Sequence, residues 1–372
     1  MLPFKKPIYI TRPNLPPISK VYDKIKEIWE SKWLTNMGAQ HKNLELKLLN
    51  FLDVKYLTLF CNGTLALQLA CQALGLTGEV ITTPFTFSAT VNSLLQNKLT
   101  PIFCDINLYD FNIKIDEIED LITSKTSAIM PVHVFGNPCD VEKIEKIAQE
   151  NSLKVIYDAA HCFGVEYNNR GIGNFGDVSM FSFHATKIFH TIEGGALTYN
   201  DPDLKETFNL LKNFGIKSEE EIVLPGTNAK MNELQAAIGL LTLKLVDNEI
   251  EKRKRLITIY REKLGKIKCI SYLSEKKNVK YNYQYFPILI DDKCSVMNRD
   301  KIYEKLKDYN IFSRKYFYPL ITDYKFVRKE TKKSFPNAEK ISSQILCLPL
   351  YGELSEENVI KIAEIITFLL KK

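Results

Sequence analysis

Short apolar runs alternate with helical patterns across the first two-thirds of the chain, and that alternation restricts the fold more than any other feature. The runs expected as strands are Tyr56–Phe60, Glu79–Thr82, Pro101–Cys104, Ala128–His133, Lys154–Tyr157, Val178–Phe181 and Gly195–Tyr199. Between them the helical period predicts helices over Thr64–Leu74, Phe87–Gln96, Val141–Asn151 and Leu204–Leu211. Runs this apolar are buried on both faces, so the expected fold is α/β, a mostly parallel sheet sandwiched by helices. Ligands of such sheets bind at the loops beyond the carboxyl ends of the strands. Any chemistry should therefore sit just after these runs.

From Met231 onward the pattern changes. Apolar residues at helical spacing (Leu234, Ala237, Ile238, Leu241, Leu245, Ile250) predict a long helix over Asn232–Lys263, with a kink or break near Asp247-Asn248. A strand over Tyr281–Ile290, a charged helix over Arg299–Asn310 and a closing helix over Glu356–Leu370 follow. With 372 residues, 45% of them hydrophobic, the chain can fill two cores. The expected division is a large domain over residues 1–245 and a smaller α+β domain over 246–372. The opening Pro3–Pro17 is proline-rich and expected to be extended.

The net charge of +6 is spread along the chain, with no basic arm, zinc-finger spacing or RNP-like aromatic run. Nucleic acid is therefore not an expected partner. A modest positive balance suits an anionic small substrate, although a Lys-rich proteome gives the same value. Eight cysteines are scattered without a CxxC pair, several in apolar runs, and are expected as buried free thiols rather than disulfides or metal ligands. Lys5-Lys6 is not followed by an apolar stretch of the kind a signal peptide carries, and no run of about 18 apolar residues exists to span a bilayer. A cytoplasmic protein with no membrane partner is expected.

Two residues give the strand ends a chemical meaning. Lys187 lies in Ser182-Phe183-His184-Ala185-Thr186-Lys187, shortly after a predicted strand and before Glu193-Gly194-Gly195. Asp158 closes the earlier strand Lys154-Val155-Ile156-Tyr157, where a carboxylate is costly unless paired. A lysine that bonds to an aldehyde and an acid that holds a pyridine nitrogen protonated are the protein parts that pyridoxal phosphate chemistry requires. Alone, Lys187 reads as a surface lysine, and Asp158 as a helix cap or salt-bridge partner. Asn62-Gly63-Thr64 follows the strand Tyr56–Phe60 and opens a helix, so Gly63 and Thr64 form either an anion site or a plain cap. His161 is a donor to a ring oxygen or a structural histidine. Phe87 stacks on a cofactor ring or packs in the core.

With these residues assembled, the chain resembles the nucleotide-sugar aminotransferases of pyridoxal phosphate fold type I, the DegT/StrS-type family. The similarity runs nearly end to end. It is carried by Trp33-Leu34-Thr35-Asn36-Met37-Gly38, Cys61-Asn62-Gly63-Thr64, Asp158-Ala159-Ala160-His161, Ser182-Phe183-His184-Ala185-Thr186-Lys187, Glu193-Gly194-Gly195 and Gly226-Thr227-Asn228-Ala229-Lys230-Met231-Asn232-Glu233. The resemblance implies an aspartate aminotransferase-like fold in which Lys187 bonds to the cofactor aldehyde and Asp158 pairs with the ring nitrogen. It further implies that Gly63, Thr64 and Ser182 hold the phosphate and that Phe87 stacks on the ring. Asn228 would reach the phosphate of the neighbouring subunit, making a homodimer with shared sites. Members often carry Gln at the position of His161 and Ser at that of Asn62; imidazole can make the same hydrogen bond as the amide.

The His184-Ala185 spelling is similar to members that aminate C4 of a 4-keto-6-deoxy sugar nucleotide. The resemblance thus implies a dTDP-linked sugar as acceptor and L-glutamate as nitrogen donor, in the service of surface polysaccharide. Amination at C3, or of a UDP- or GDP-linked sugar, is the alternative. A pyridoxal phosphate-binding regulator without turnover is the non-enzymatic one. Relatives that dehydrate C3 replace the lysine with His, whereas this chain keeps Lys187. Trp33 and the stretch Arg314-Lys315-Tyr316-Phe317-Tyr318 are candidates to meet the nucleotide, or else form a solvated basic loop. His184, Arg314 and Tyr318 join Trp33 as the expected substrate contacts, and no metal is expected.

Overall fold

Seven strands form one sheet in the order Tyr56–Phe60, Gly195–Tyr199, Val178–Ser182, Lys154–Asp158, Thr126–Ile129, Glu79–Thr82, Thr100–Phe103. This computed structural model describes residues 2–328 and 333–371. Gly195–Tyr199 runs antiparallel to both neighbours, and the other pairings are parallel. Alternate residues enter opposite cores, as the two-residue period of a strand requires. Leu57, Leu59, Val155, Tyr157 and Phe181 pack with Leu44, Leu48, Ile144 and Leu240. Phe60, Ile156, Val178, Met180 and Leu197 pack with Ala66, Leu67, Leu94 and Phe208.

Register decides where the functional residues fall. Gly195 pairs with Phe60 on one side and Ser182 on the other, while Asp158 pairs with Met180. The turn after Phe60, the end of Asp158's strand and the turn leading to Lys187 therefore share one edge of the sheet. Gly195 is a close-approach position. A Cβ there would lie 2.6 Å from Gly63 N and 2.7 Å from its Cα, so the Asn62-Gly63 turn can approach only because that side chain is missing.

The C-terminal part is built on a three-stranded antiparallel sheet, Ile270–Tyr272, Phe286–Ile290 and Ile345–Leu348. Helices Val246–Leu264 and Glu356–Lys371 supply Leu256, Tyr260, Ile362 and Ile366 to its core. Phe4 and Ile8 join this core from the other end of the chain, and Ile8–Tyr9 pairs in parallel with Ile311–Phe312. Phe85, Phe103 and Phe135 pack with Phe317, Phe335 and Ile345, so the two sheets are joined by an aromatic layer.

The expected long helix is two, Glu233–Thr242 and Val246–Leu264, separated by a 3-10 turn at Leu243–Leu245 rather than broken at Asp247-Asn248. Its start is fixed by a capping box, Asn232 and Gln235 exchanging side-chain bonds with each other's backbone N–H. The expected strand Tyr281–Ile290 pairs only from Phe286, because Asn282 and Gln284 commit their side chains to distant loops. Cys269 and Cys294 form a disulfide with Cα atoms 5.5 Å apart, correcting the expectation of eight free thiols. The antiparallel pairing of Ile270–Tyr272 with Phe286–Ile290 brings those two positions together although 25 residues separate them. Cysteines 61, 71, 104, 139, 162 and 347 are free. Among the described residues no helix is long and apolar enough to cross a membrane, and no group of three or more His, Cys, Asp or Glu could hold a metal ion.

Candidate active site

Beyond the carboxyl ends of the sheet lies a cavity of ≈ 450 Å³. Gly63, Thr64, Phe87, Asp158, His161, Ser182, His184, Lys187 and Arg314 all line it. Asn228, Trp33 and Tyr318 are not among its lining residues. Asn228 is exposed, next to Ala229, whose carbonyl accepts the Cys61 N–H at 2.8 Å. Trp33 is 56% exposed beside Gly38. Tyr318 has its ring near the cations of Arg299 and Lys315, at 4.8 and 4.7 Å from its centre.

Asp158 ends its strand almost fully buried. Its Oδ2 accepts a hydrogen bond from Thr90 Oγ1 at 2.7 Å, and its Oδ1 accepts from the Ala160 N–H at 3.1 Å. Burial pushes its carboxyl above the ordinary range, while the Thr90 and Ala160 donors and the Lys187 charge pull the other way. Lys187 follows the strand Val178–Ser182 by one turn, its own N–H bonded to His184 O at 2.8 Å. Removal from water pulls its ammonium down to about 8, against the opposing charge of Asp158. Its Nζ stands 5.9 Å from the centre of the Tyr285 ring.

His161 has a fixed tautomer. Its Nδ1 accepts the Phe135 N–H at 3.3 Å, so the neutral ring carries its proton on Nε2. Burial and the nearby Lys187 hold the imidazole neutral by lowering its pKa well below the ordinary value. Phe135 and Phe317 lie nearly parallel to it and Tyr285 meets it edge-on at 4.9 Å, which sets the ring plane.

The helix Gly63–Ala73 begins at the cavity wall. Asn62 caps it by accepting the Leu65 N–H at 2.8 Å, leaving the start of the helix on Gly63 and Thr64 to face an anion. A Cβ on Gly63 would lie 2.9 Å from Met180 Sδ, so glycine is also what keeps this turn against the strand bearing Ser182. His184 receives the Thr186 N–H on Nδ1 at 3.2 Å and sets Nε2 3.4 Å from Glu193 Oε1. Arg314 is exposed at the cavity.

Several residues here have no local sequence signal. Gln284 is buried; it donates to Thr186 O at 3.1 Å and accepts the Ile188 N–H at 2.8 Å, bracketing Lys187 on both sides. Asn282 donates to His161 O at 2.8 Å and Phe163 O at 3.0 Å. Arg253, itself paired with Glu249 at 2.7 Å, bonds Gln284 O at 3.2 Å. The alternation of polar and aromatic residues in Tyr281-Asn282-Tyr283-Gln284-Tyr285 was the available clue, but it reads equally as a half-exposed strand.

A buried carboxylate, an amine of lowered pKa, a neutral imidazole donor and a helix start around one cavity suit pyridoxal phosphate. It has a ring nitrogen, an aldehyde, a ring oxygen and a phosphate to be met.

A model of the DegT/DnrJ/EryC1/StrS aminotransferase family matches residues 18–367. A dTDP-4-amino-4,6-dideoxy-D-glucose transaminase of Shigella dysenteriae is 47% identical over 354 residues, 95% of this chain and 96% of the relative. One of the same description from Escherichia coli is 44% identical over 367 residues, covering 97% and 98%. Among solved structures, that of DesI in the presence of its TDP-sugar product is similar with a TM-score of 0.96 at 32% identity, covering 100% of this chain and 95% of that one.

Proposed function

The chain belongs to the DegT/DnrJ/EryC1/StrS aminotransferase family, and on that premise we propose that it carries an amino group from L-glutamate to the C4 keto carbon of a dTDP-linked 4-keto-6-deoxy sugar. It is a sugar aminotransferase whose cofactor is pyridoxal phosphate. The product on this reading is a dTDP-4-amino-4,6-dideoxy sugar, destined for surface polysaccharide such as O-antigen. The observation that carries the choice of sugar is 47% identity along 95% of the chain to a transaminase described by that very product.

When bound, the cofactor supplies an aldehyde carbon at which amines are exchanged and a ring that draws electrons from it. Lys187 is the residue that would hold the cofactor through that carbon. When free, its Nζ would take the proton from the substrate carbon and later return one, acting as base and then acid. A lysine held down to about 8 suits this work, because both of its protonation states are populated near neutral pH. Asp158 holds the proton at the ring nitrogen and His161 Nε2 donates to the ring oxygen. Phe87 covers one face of the ring. Gly63, Thr64 and Ser182 receive the phosphate. Arg314, a cation at the cavity with no acidic partner within salt-bridge distance among the described residues, is suited to the diphosphate of the nucleotide, and His184 to the sugar. Trp33 and Tyr318 take no part in this reading, since neither lines the cavity.

A homodimer completes the site on this reading, with the partner subunit's Asn228 reaching the phosphate. Support comes from exposed large apolar side chains on segments bonded close to Asn228: Phe214, whose N–H bonds Thr227 O at 3.1 Å, Val223, whose N–H bonds Gly215 O at 3.0 Å, and Leu34, whose carbonyl accepts the Glu233 N–H at 3.0 Å. Exposed apolar side chains of this kind suit a subunit contact.

The test is a substrate panel. Enzyme and glutamate are incubated with dTDP-, UDP- and GDP-linked keto sugars, and the new C–N bond is located by NMR. Amination at C4 of the dTDP sugar is expected. Amination at C3, or turnover confined to a UDP- or GDP-linked sugar, overturns the choice of substrate.

A further inference from the structure

Asp158 is held from behind by two hydroxyls. Thr90 Oγ1 lies 2.7 Å from Asp158 Oδ2, and Thr86 Oγ1 lies 2.7 Å from Thr90 Oγ1. Both threonines are buried, Thr90 at 0% and Thr86 at 4% exposure. A hydroxyl has one proton to give, and an ionised carboxylate can only accept. Thr90 therefore donates to Asp158, which leaves it to accept from Thr86. The chain of hydroxyls has a single direction, ending on the carboxylate.

The same turn of chain builds two parts of the cofactor site. Thr86 and Phe87 line the cavity, Phe87 caps the helix Ser88–Gln96, and Thr90 is the third residue of that helix. The positive end of the helix thus adds to the donors that favour a charged Asp158. Among the described residues its other oxygen receives the Ala160 N–H alone.

We propose that Thr90, backed by Thr86, is a positioning residue that fixes the Asp158 carboxylate as an anion in one orientation and so keeps a proton on the cofactor's ring nitrogen. This rests on the pairing of Asp158 with that nitrogen given above. Thr90 does not itself touch the cofactor. Without its hydroxyl the buried carboxylate would compete better for the shared proton, and the ring would draw electrons less well.

The test uses 15N-labelled pyridoxal phosphate bound to the full-length protein, with the ring-nitrogen shift read by NMR against pH. In wild type the shift is expected to be that of a protonated ring. In Thr90→Val, which keeps shape but not the hydroxyl, it moves toward the unprotonated value, and amine transfer slows about tenfold, the effect of one charge-assisted hydrogen bond. Thr90→Ser restores both. A Thr90→Val shift that overlays wild type overturns the proposal. An Asp158→Asn shift that overlays wild type instead removes the pairing on which it rests, and so overturns both. Should Thr90→Val fail to retain cofactor, Thr86→Val, which removes only the outer link, must move the shift the same way by a smaller amount; an unmoved shift there is equally fatal.

Discussion

On the proposed reading Lys187 meets two demands that conflict in water, being charged enough to give a proton and neutral enough to attack an aldehyde. Burial reconciles them by lowering the ammonium to about 8, while the Asp158 charge limits the fall. Only the neutral amine attacks, and its fraction grows as pH rises through the pKa. Uptake of pyridoxal phosphate by the cofactor-free protein should therefore quicken with pH and level off above about 8. An exposed lysine would keep gaining toward about 10.4. Stopped-flow absorbance separates the two, and a rate still climbing toward the higher value contradicts a buried amine. At this scale Lys187 and Asp158 were legible because each stands where a strong local pattern ends. Thr90 was not: Thr86-Phe87-Ser88-Ala89-Thr90 reads as an ordinary helix start, and its acceptor lies 68 residues away.

At the scale of elements, the strands of the large sheet were read within a few residues because each is an apolar run with both faces buried. Helix Ala39–Leu52 was missed for a physical reason. Its own cap residue, Gly38, offers no side chain, and the carboxylate of Glu233 caps it instead, accepting the Gln40 N–H at 2.7 Å and the His41 N–H at 3.1 Å. A start signal supplied from 193 residues away is invisible to any local window. The segment Tyr281–Tyr285 misled in the same way, since its alternation serves hydrogen bonding to loops rather than a ladder. Gln284 gives this element a testable role. Gln284→Leu leaves the buried Ile188 N–H and the half-buried Thr186 O without their partner, and should cost about 2–4 kcal/mol of unfolding free energy. Because the lost bonds flank Lys187, cofactor should also be released faster. Denaturant titration and absorbance on dilution check the two effects; unchanged cofactor retention in a destabilised variant would confine Gln284 to a role in stability.

Across the whole molecule, the proposed sharing of the site between subunits can be tested without a new structure. Lys187→Ala and Asn228→Ala should each be nearly inactive alone. If Asn228 serves the other subunit, mixing the two under exchange conditions rebuilds one intact site in each hybrid dimer and recovers roughly a quarter of wild-type activity. No recovery means that Asn228 serves its own chain or none. The amino-acid sequence by itself determined the alternating α/β layers, the lysine and carboxylate at strand ends, and the glycine-led turn that opens a helix. These follow from periodicity and turn chemistry, which act over a few residues. Tertiary structure alone decided that Thr90 stands behind Asp158, that Gln284 brackets Lys187, that Cys269 meets Cys294 and that Glu233 caps a distant helix. Each is a polar contact between segments far apart in the chain, and its partner is selected by the register and packing of the folded sheet rather than by anything encoded beside it.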